Sequence, residues 1–283
     1  MTAELDVLAF GEILYDVFPD GAYLGGAPLN FAWYARQLGV SAGIISAVGH
    51  DELGGKALRA LDEAGIDYTL VTQRAQPTGT VDVKLTDGQP QFRIATDVAW
   101  DHIELPNVLI PKPRLLYFGT LAQRSSENRG CLSTLLAQQP GECFFDVNLR
   151  QSFYDTSIIL HGLQNATIVK LNEDELVVLE QIIGISSAEK IAVEYAIDAL
   201  VVTRGANGAS LYLDGQRFDA ISPKVEVVDA VGAGDAFSAV IAIARIRQTP
   251  LQQALQFACT VGAFVVTQHG AQAVLPAYLT SAF

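Results

Sequence analysis

Short apolar runs rich in β-branched residues alternate with longer helical patterns along nearly the whole chain, and this rhythm restricts the fold more than any other feature. Strands that are apolar on both faces must be covered on both faces. A series of them separated by helices therefore builds a mostly parallel sheet between helix layers, an α/β fold. Core strands are expected at Val7–Phe10, Gly43–Val48, Leu115–Phe118, Cys143–Val147, Ile168–Leu171 and Leu200–Thr203. Helices are expected near Pro28–Leu38, Glu52–Ala64, Glu127–Ala137, Glu173–Glu180, Ala188–Tyr195, Ala233–Ile246 and Leu251–Val266. Pro28 suits a first helical position, Asp51 an N-cap, and Ser186 with Glu189 a capping box. At 283 residues one enlarged domain or two unequal ones fit the length; without a repeat or linker the chain reads as a single domain, 1–283.

Two stretches break the rhythm. From Thr78 to Ala95, two alternating runs flank Asp87-Gly88 and read as a β-hairpin with a tight turn. Ile13–Phe18 is a second short extended run, set off from the first core strand by Gly11-Glu12. Together, as excursions over about 12–24 and 76–98, they are expected to form a small sheet that serves as a lid. The alternative is an extension of the main sheet at its edge. Asp16 and Arg93, polar groups able to point inward, favour the lid. Apolar Val81, Val83 and Phe92 either join the lids of a homodimer or pack on the body.

The formal charge of −13 argues against nucleic acid or an anionic membrane as partner. It also means that an anionic ligand must be held by local amides, a few cations or a metal ion. Cys131, Cys143 and Cys259 are odd in number and far apart, which suits reduced thiols in a cytoplasmic protein. His50, His102, His161 and His269 lack close spacing, so a zinc site is not expected. No signal peptide is visible, and no apolar run approaches the roughly 20 residues of a membrane span.

The segment Val228–Phe237 carries the most chemistry. It places Gly232 and Gly234 where an apolar helix begins, so that backbone amides converge on an anion at the positive end of the helix dipole. Asp235 is the odd residue there. A first-turn aspartate gains about 0.3–1 kcal/mol from the dipole alone, but a bare anion site gains nothing from a further negative charge, and a proton-accepting role accounts for it.

A glycine-rich Gly25-Gly26-Ala27-Pro28-Leu29-Asn30 stands near the start and Asp229-Ala230-Val231-Gly232-Ala233-Gly234-Asp235 near the end. Between them stand Asp146-Val147-Asn148-Leu149-Arg150, Asn172-Glu173-Asp174-Glu175 and Thr203-Arg204-Gly205-Ala206-Asn207-Gly208. In this order the five segments resemble the ribokinase-like (PfkB) carbohydrate kinase family, the first matching its N-terminal glycine signature and the last its C-terminal signature. Gly11-Glu12-Ile13-Leu14-Tyr15-Asp16 is most similar to the start of fructokinases. Ala27 stands where ribokinases carry lysine, which turns the expectation away from ribose.

The resemblance implies a three-layer ribokinase-like fold with a β-sheet lid, and transfer of the ATP γ-phosphate to a primary hydroxyl of a small sugar, fructose first. It implies Asp235 as base and the amides of Gly232, Ala233 and Gly234 as the anion hole. Asp16, Gly25, Gly26, Asn30, Arg93, Asn148 and Arg150 are the implied sugar or phosphate contacts; for Arg93 a surface ion pair is an equal reading. Thr203, Gly205, Gly208, Cys259 and Gly270 would line the nucleotide, unless they form an ordinary strand exit and, for Cys259, core packing. Asn172 and Glu175 would act on Mg²⁺ through its waters from one helical face, against the reading of Glu175 as a solvated helix residue. Ala230-Val231 removes a hydroxyl near the anion loop and leaves backbone carbonyls for a monovalent cation such as K⁺.

Other readings remain: a kinase of the same family acting on 2-keto-3-deoxygluconate, ribose, tagatose phosphate or a nucleoside; a non-catalytic sugar or nucleotide sensor; and a dinucleotide oxidoreductase resting on Gly-x-Gly at 232–234.

Overall fold

A computed structural model describes residues 5–86, 89–108, 110–138 and 140–282, with side chains outside 83–92. The strands are β1 (Val7–Phe10), β2 (Leu14–Phe18), β3 (Gly21–Gly25), β4 (Ala42–Gly49), β5 (Val71–Arg74), β6 (Gly79–Thr86), β7 (Gln89–Ile94), β8 (Leu115–Gly119), β9 (Glu142–Asp146), β10 (Ile168–Asn172), β11 (Ala199–Thr203), β12 (Ala209–Leu213) and β13 (Gln216–Ala220). Helices are α1 (Ala27–Gln37), α2 (Glu52–Glu63), α3 (Ser126–Ala137), α4 (Thr156–Asn165), α5 (Glu173–Ile183), α6 (Ala188–Glu194), α7 (Ala233–Arg247), α8 (Leu251–Val265) and α9 (Ala277–Thr280). All six expected strands and all seven expected helices are present, with ends shifted by a few residues at most.

Among the described residues, nine strands form one sheet in the order β13-β12-β11-β10-β9-β8-β1-β4-β5. Pairing is parallel from β11 to β5, and β12 and β13 run antiparallel at one edge. Alternation along the strands sorts side chains into two cores. Leu115, Tyr117 and Phe144 face the layer of α1, α7 and α8, whereas Leu116, Phe118 and Phe145 face that of α3 to α6. Tyr117 stacks on Phe31 of α1 with centroids 4.0 Å apart. Every residue from Ala236 to Ala244 in α7 is buried, so this helix is a core element whose N-terminus is fixed by packing.

The small sheet is separate, in the order β3-β2-β6-β7, and does not extend the main one. β2 pairs with β6 in parallel, joining the two excursions. The turn at Asp87-Gly88 and the side chains of Val83 and Phe92 lie outside the described residues. Val81 packs within the same chain against Leu14, Ile94, Trp100 and Leu121.

One local expectation is corrected. Asp51 caps α2 by accepting the Gly54 amide at 2.8 Å, as expected, but Ser187 and not Ser186 caps α6. Ser187 accepts from Lys190, and Glu180 of the preceding helix receives the Ser187 amide at 2.7 Å, so Glu189 has no part in a box. The capping box lies instead at the start of α5, between Asn172 and Glu175. Among the described residues no helix is long and apolar enough to cross a membrane.

Candidate active site

The site is assembled where the first turns of α1 and α7 meet the C-terminal ends of the central strands. Gly26 precedes α1 with φ +112°, and a Cβ there would lie 2.4 Å from the Glu12 carbonyl oxygen. Glu12 in turn accepts the Ala27 amide at 3.2 Å, and its burial raises the carboxyl to about 7. This close approach brings Asn30, one turn into α1, onto α7. Asn30 Nδ2 donates to Asp235 Oδ2 at 2.8 Å, across 205 residues of sequence, while its Oδ1 accepts from Gln272 at 3.3 Å.

Gly232 caps α7 in a left-handed conformation, φ +81°, and a Cβ there would meet the Ala271 carbonyl oxygen at 2.3 Å. The loop ahead of it is tied by Asp229, which accepts the amides of Val231 and Gly270, both at 3.0 Å. Asp235 is thus held in the first turn of α7. Desolvation, then the nearby Asp146 carboxylate, raise its carboxyl to about 6, against the opposing pull of Asn30, Lys170 and Arg150.

Asp146 and Lys170 are register partners on β9 and β10, both buried. Lys170 Nζ lies 3.1 and 3.2 Å from the two Asp146 oxygens. Tyr117 and Ser238 hydroxyls both lie 3.0 Å from Asp146 Oδ2. A Cβ at Gly234 would sit 3.1 Å from Lys170 Nζ, so the ammonium is directly beneath the glycine loop.

The small sheet sorts two expected contacts onto opposite faces. Asp16 is in register with Val81 and Ile94, both buried on the inner face, while Val17, Asp82 and Arg93 form the adjacent row. Asp16 therefore points inward, and burial followed by Asp229 raises it to about 6. Arg93 is exposed on the outer face and is not brought to the site, because successive strand residues alternate sides. A Cβ on Gly25 would come within 3.2 Å of Asp16 Oδ2.

Asn148 and Arg150 come from the turn after β9, where Asn148 takes φ +38°. Arg150 is exposed, yet its charge acts on Glu12, Asp16 and Asp235, which places those carboxyls around one space. The turn is fastened by Glu175, whose Oε1 accepts the Leu149 amide at 2.9 Å and whose Oε2 accepts the Asn172 amide at 2.8 Å. Glu175 is buried rather than solvated, and Asn172 is the exposed N-cap of α5, not a residue of its face. Glu175→Gln turns an NH₂ toward one of two amide donors, and is expected to cost about 1–3 kcal/mol of stability, read by chemical denaturation.

The nucleotide candidates divide. Thr203 ends β11, with its hydroxyl 3.4 Å from the Leu171 carbonyl, and Gly205 lies exposed in the turn that follows. Gly208 is buried where a Cβ would meet the Ala220 carbonyl oxygen at 2.0 Å, so strand packing already requires a glycine. Cys259 belongs to the apolar core, and burial pushes its thiol to about 11. Gly270 serves the loop through its bond to Asp229. Among the described residues no group of three or more His, Cys, Asp or Glu side chains could cage a metal. With both Glu175 oxygens already accepting amides, the donor set fits Mg²⁺ held mainly by phosphate and water.

Asp146, Lys170, Glu12 and Gln272 were not among the candidate site residues. The signal for the first two lay in polar residues inside apolar strands, Phe145-Asp146 and Val169-Lys170-Leu171. Gln272 offers no comparable signal, since the contact comes only from folding.

The sequence pattern of the pfkB family carbohydrate kinases matches residues 6–278. A fructokinase of Escherichia coli is 31% identical, covering 98% of this chain and 97% of its own length. An aminoimidazole riboside kinase of Salmonella typhimurium is 29% identical, covering 98% and 93%. A structure of a putative ribokinase II from E. coli in complex with ATP and Mg²⁺ superposes with a TM-score of 0.83 at 26% identity, over 95% of this chain and 94% of that one. These likenesses set aside the sensor and oxidoreductase readings: the chain belongs to the pfkB carbohydrate kinase family and is a phosphotransferase that acts on a sugar hydroxyl.

Proposed function

We propose that the chain transfers the γ-phosphoryl group of ATP to a primary hydroxyl of a small neutral sugar, with fructose the first candidate. The observation that carries this reading is Asp235, set in the first turn of α7 and bonded to Asn30, where burial raises its carboxyl to about 6. Such a carboxylate is mostly ionised at neutral pH and still basic enough to take a proton. The sugar hydroxyl attacks phosphorus as Asp235 Oδ accepts its proton, the bond to the ADP oxygen breaks, and the amides of 232–235 hold the phosphoryl oxygens. Asn30 orients the base, and Asp16 accepts from sugar hydroxyls beneath the lid. Thr203 and Gly205 sit along the path expected for the nucleotide. Magnesium supplies charge neutralisation on the phosphates when bound, with Glu175 at one remove through water.

Charge supports a neutral acceptor. The space beneath the lid is ringed by Glu12, Asp16 and Asp235 against the Arg150 guanidinium, and Arg93 faces away. Arg124, another arginine near the lid, is already paired with Asp101 at 2.6 Å. A sugar acid or sugar phosphate would meet more carboxylate than cation.

An ADP-release assay across fructose, ribose, aminoimidazole riboside, 2-keto-3-deoxygluconate and tagatose 6-phosphate tests this. Neutral acceptors are expected to exceed the anionic ones in kcat/KM by at least about 100-fold. A preference for either anion would overturn the neutral-sugar assignment, and a preference for the riboside would replace fructose.

A further inference from the structure

We propose that Lys170 is a positioning residue for phosphoryl transfer: its ammonium, seated beneath the first turn of α7 and anchored by Asp146, adds the positive charge that the 232–235 loop presents to the migrating group. The inference rests on the reading of that loop and of Asp235 given above.

A lysine in the middle of a buried strand, between Val169 and Leu171, needs a reason. Stability alone does not supply one, because a buried ion pair is often no better than well-packed apolar residues of the same volume. The position does. A Cβ at Gly234 would press on Nζ at 3.1 Å, so the glycine of the loop leaves room for the ammonium against it. The pair is also oriented. Asp146 bonds to Ser238, one turn further into α7, whereas Lys170 lies against Gly234 in the first turn. The positive end is therefore nearer the loop. Burial opposes the charge, but the carboxylates of Asp146, Glu175 and Asp235 outweigh it and keep Lys170 protonated. In a chain of net charge −13, with Glu12, Asp16 and Asp235 around the site, a fixed cation under the loop answers the repulsion that an incoming triphosphate meets.

The test compares two variants with the wild type: Asp146→Asn combined with Lys170→Met, which replaces the pair by neutral groups, and Lys170→Gln, which keeps a hydrogen bond to Asp146. Folding is followed by circular dichroism, ATP and ADP affinities by calorimetry, and turnover by ADP release. In a folded variant kcat is expected to fall about 100-fold, the KM for sugar to move less than about threefold, and ATP affinity to fall about tenfold relative to ADP. Equal losses for ATP and ADP, or a kcat within about threefold of wild type, would overturn the proposal, as would failure of both variants to fold. Asp235→Asn separates this idea from the assignment of the base: it removes turnover without lowering ATP affinity relative to ADP, the opposite of the shift expected for the Lys170 variants.

Discussion

Asp235→Asn should lower kcat by about 10²–10⁴-fold with ATP binding retained, the range over which positioned acid–base groups act. The wild-type kcat/KM should fall as pH drops through about 6, where the Asp235 carboxyl gains its proton. Glu12, at about 7, and Asp16, at about 6, titrate in the same window, so the residual profile of the variant identifies which limb belongs to the base. The same substitution should stabilise the fold. Asp235 is raised from 3.8 to about 6, so between those values the folded chain keeps a proton that the unfolded chain has released. Stability is therefore lost as pH rises through about 6 and stays lower above it. Removing the charge at pH 7.5 returns about 1–2 kcal/mol after allowance for partial exposure, or a rise of roughly 2–4 °C in Tm. A variant that turns over like wild type, or that is destabilised at pH 7.5, would reject the role assigned to this carboxylate.

Gly232→Ala is expected to be nearly as damaging for a different reason. Its φ of +81° disfavours a side chain, and the added Cβ would lie 2.3 Å from the Ala271 carbonyl oxygen. That oxygen is not free to yield. It accepts the Tyr34 hydroxyl at 2.8 Å, and the same hydroxyl receives the Ala273 amide at 3.1 Å, fastening the 271–273 segment to α1. The 232–235 loop must move instead, and, with the role proposed for that loop, a displacement on the order of 1 Å costs about 10²-fold in rate. Stability should fall by about 1–3 kcal/mol. Gly184→Ala provides the contrast: φ is +71° at the end of α5, but nothing lies within 4 Å, so a loss of about 1 kcal/mol with unchanged kcat is expected. Denaturant melts and steady-state kinetics on the pair distinguish a loop that must keep its shape from a helix end that tolerates strain.

Elements whose burial is written locally were legible in the sequence. β1, β4, β8 and β11 are apolar runs covered on both sides, and α7 and α8 follow them with long apolar stretches. Two of the strands that escaped notice owe their place to neighbours. β5 (VTQR) and β13 (QRFDA) are polar edge strands, held by pairing rather than by two-sided burial. α4 was missed because Ile158, Ile159 and Gly162 are weak helix formers; its Asp155 cap, which accepts the Ile158 amide at 2.9 Å, was the overlooked signal.

At the candidate site, the glycine turn at the start of α7 was legible because few other residues suit such a loop, and Asp235 because it stands in the first turn that follows. Asn-x-x-Glu at 172–175 carried two meanings at once, since that spacing also writes a capping box. The Arg93 side depended on strand register, which one residue of slip would invert. The Asp146–Lys170 pair required two strands to be set side by side.

β1 lies at the heart of the large sheet, bonded to β4 on one flank and to β8 on the other. The partner on the second flank begins at Leu115, so a nascent chain still short of that point carries an uncovered central strand. Ribosome-bound fragments should accordingly invite foreign strand pairing until β8 emerges, and deleting the opening decapeptide would split the platform that carries both halves of the candidate site.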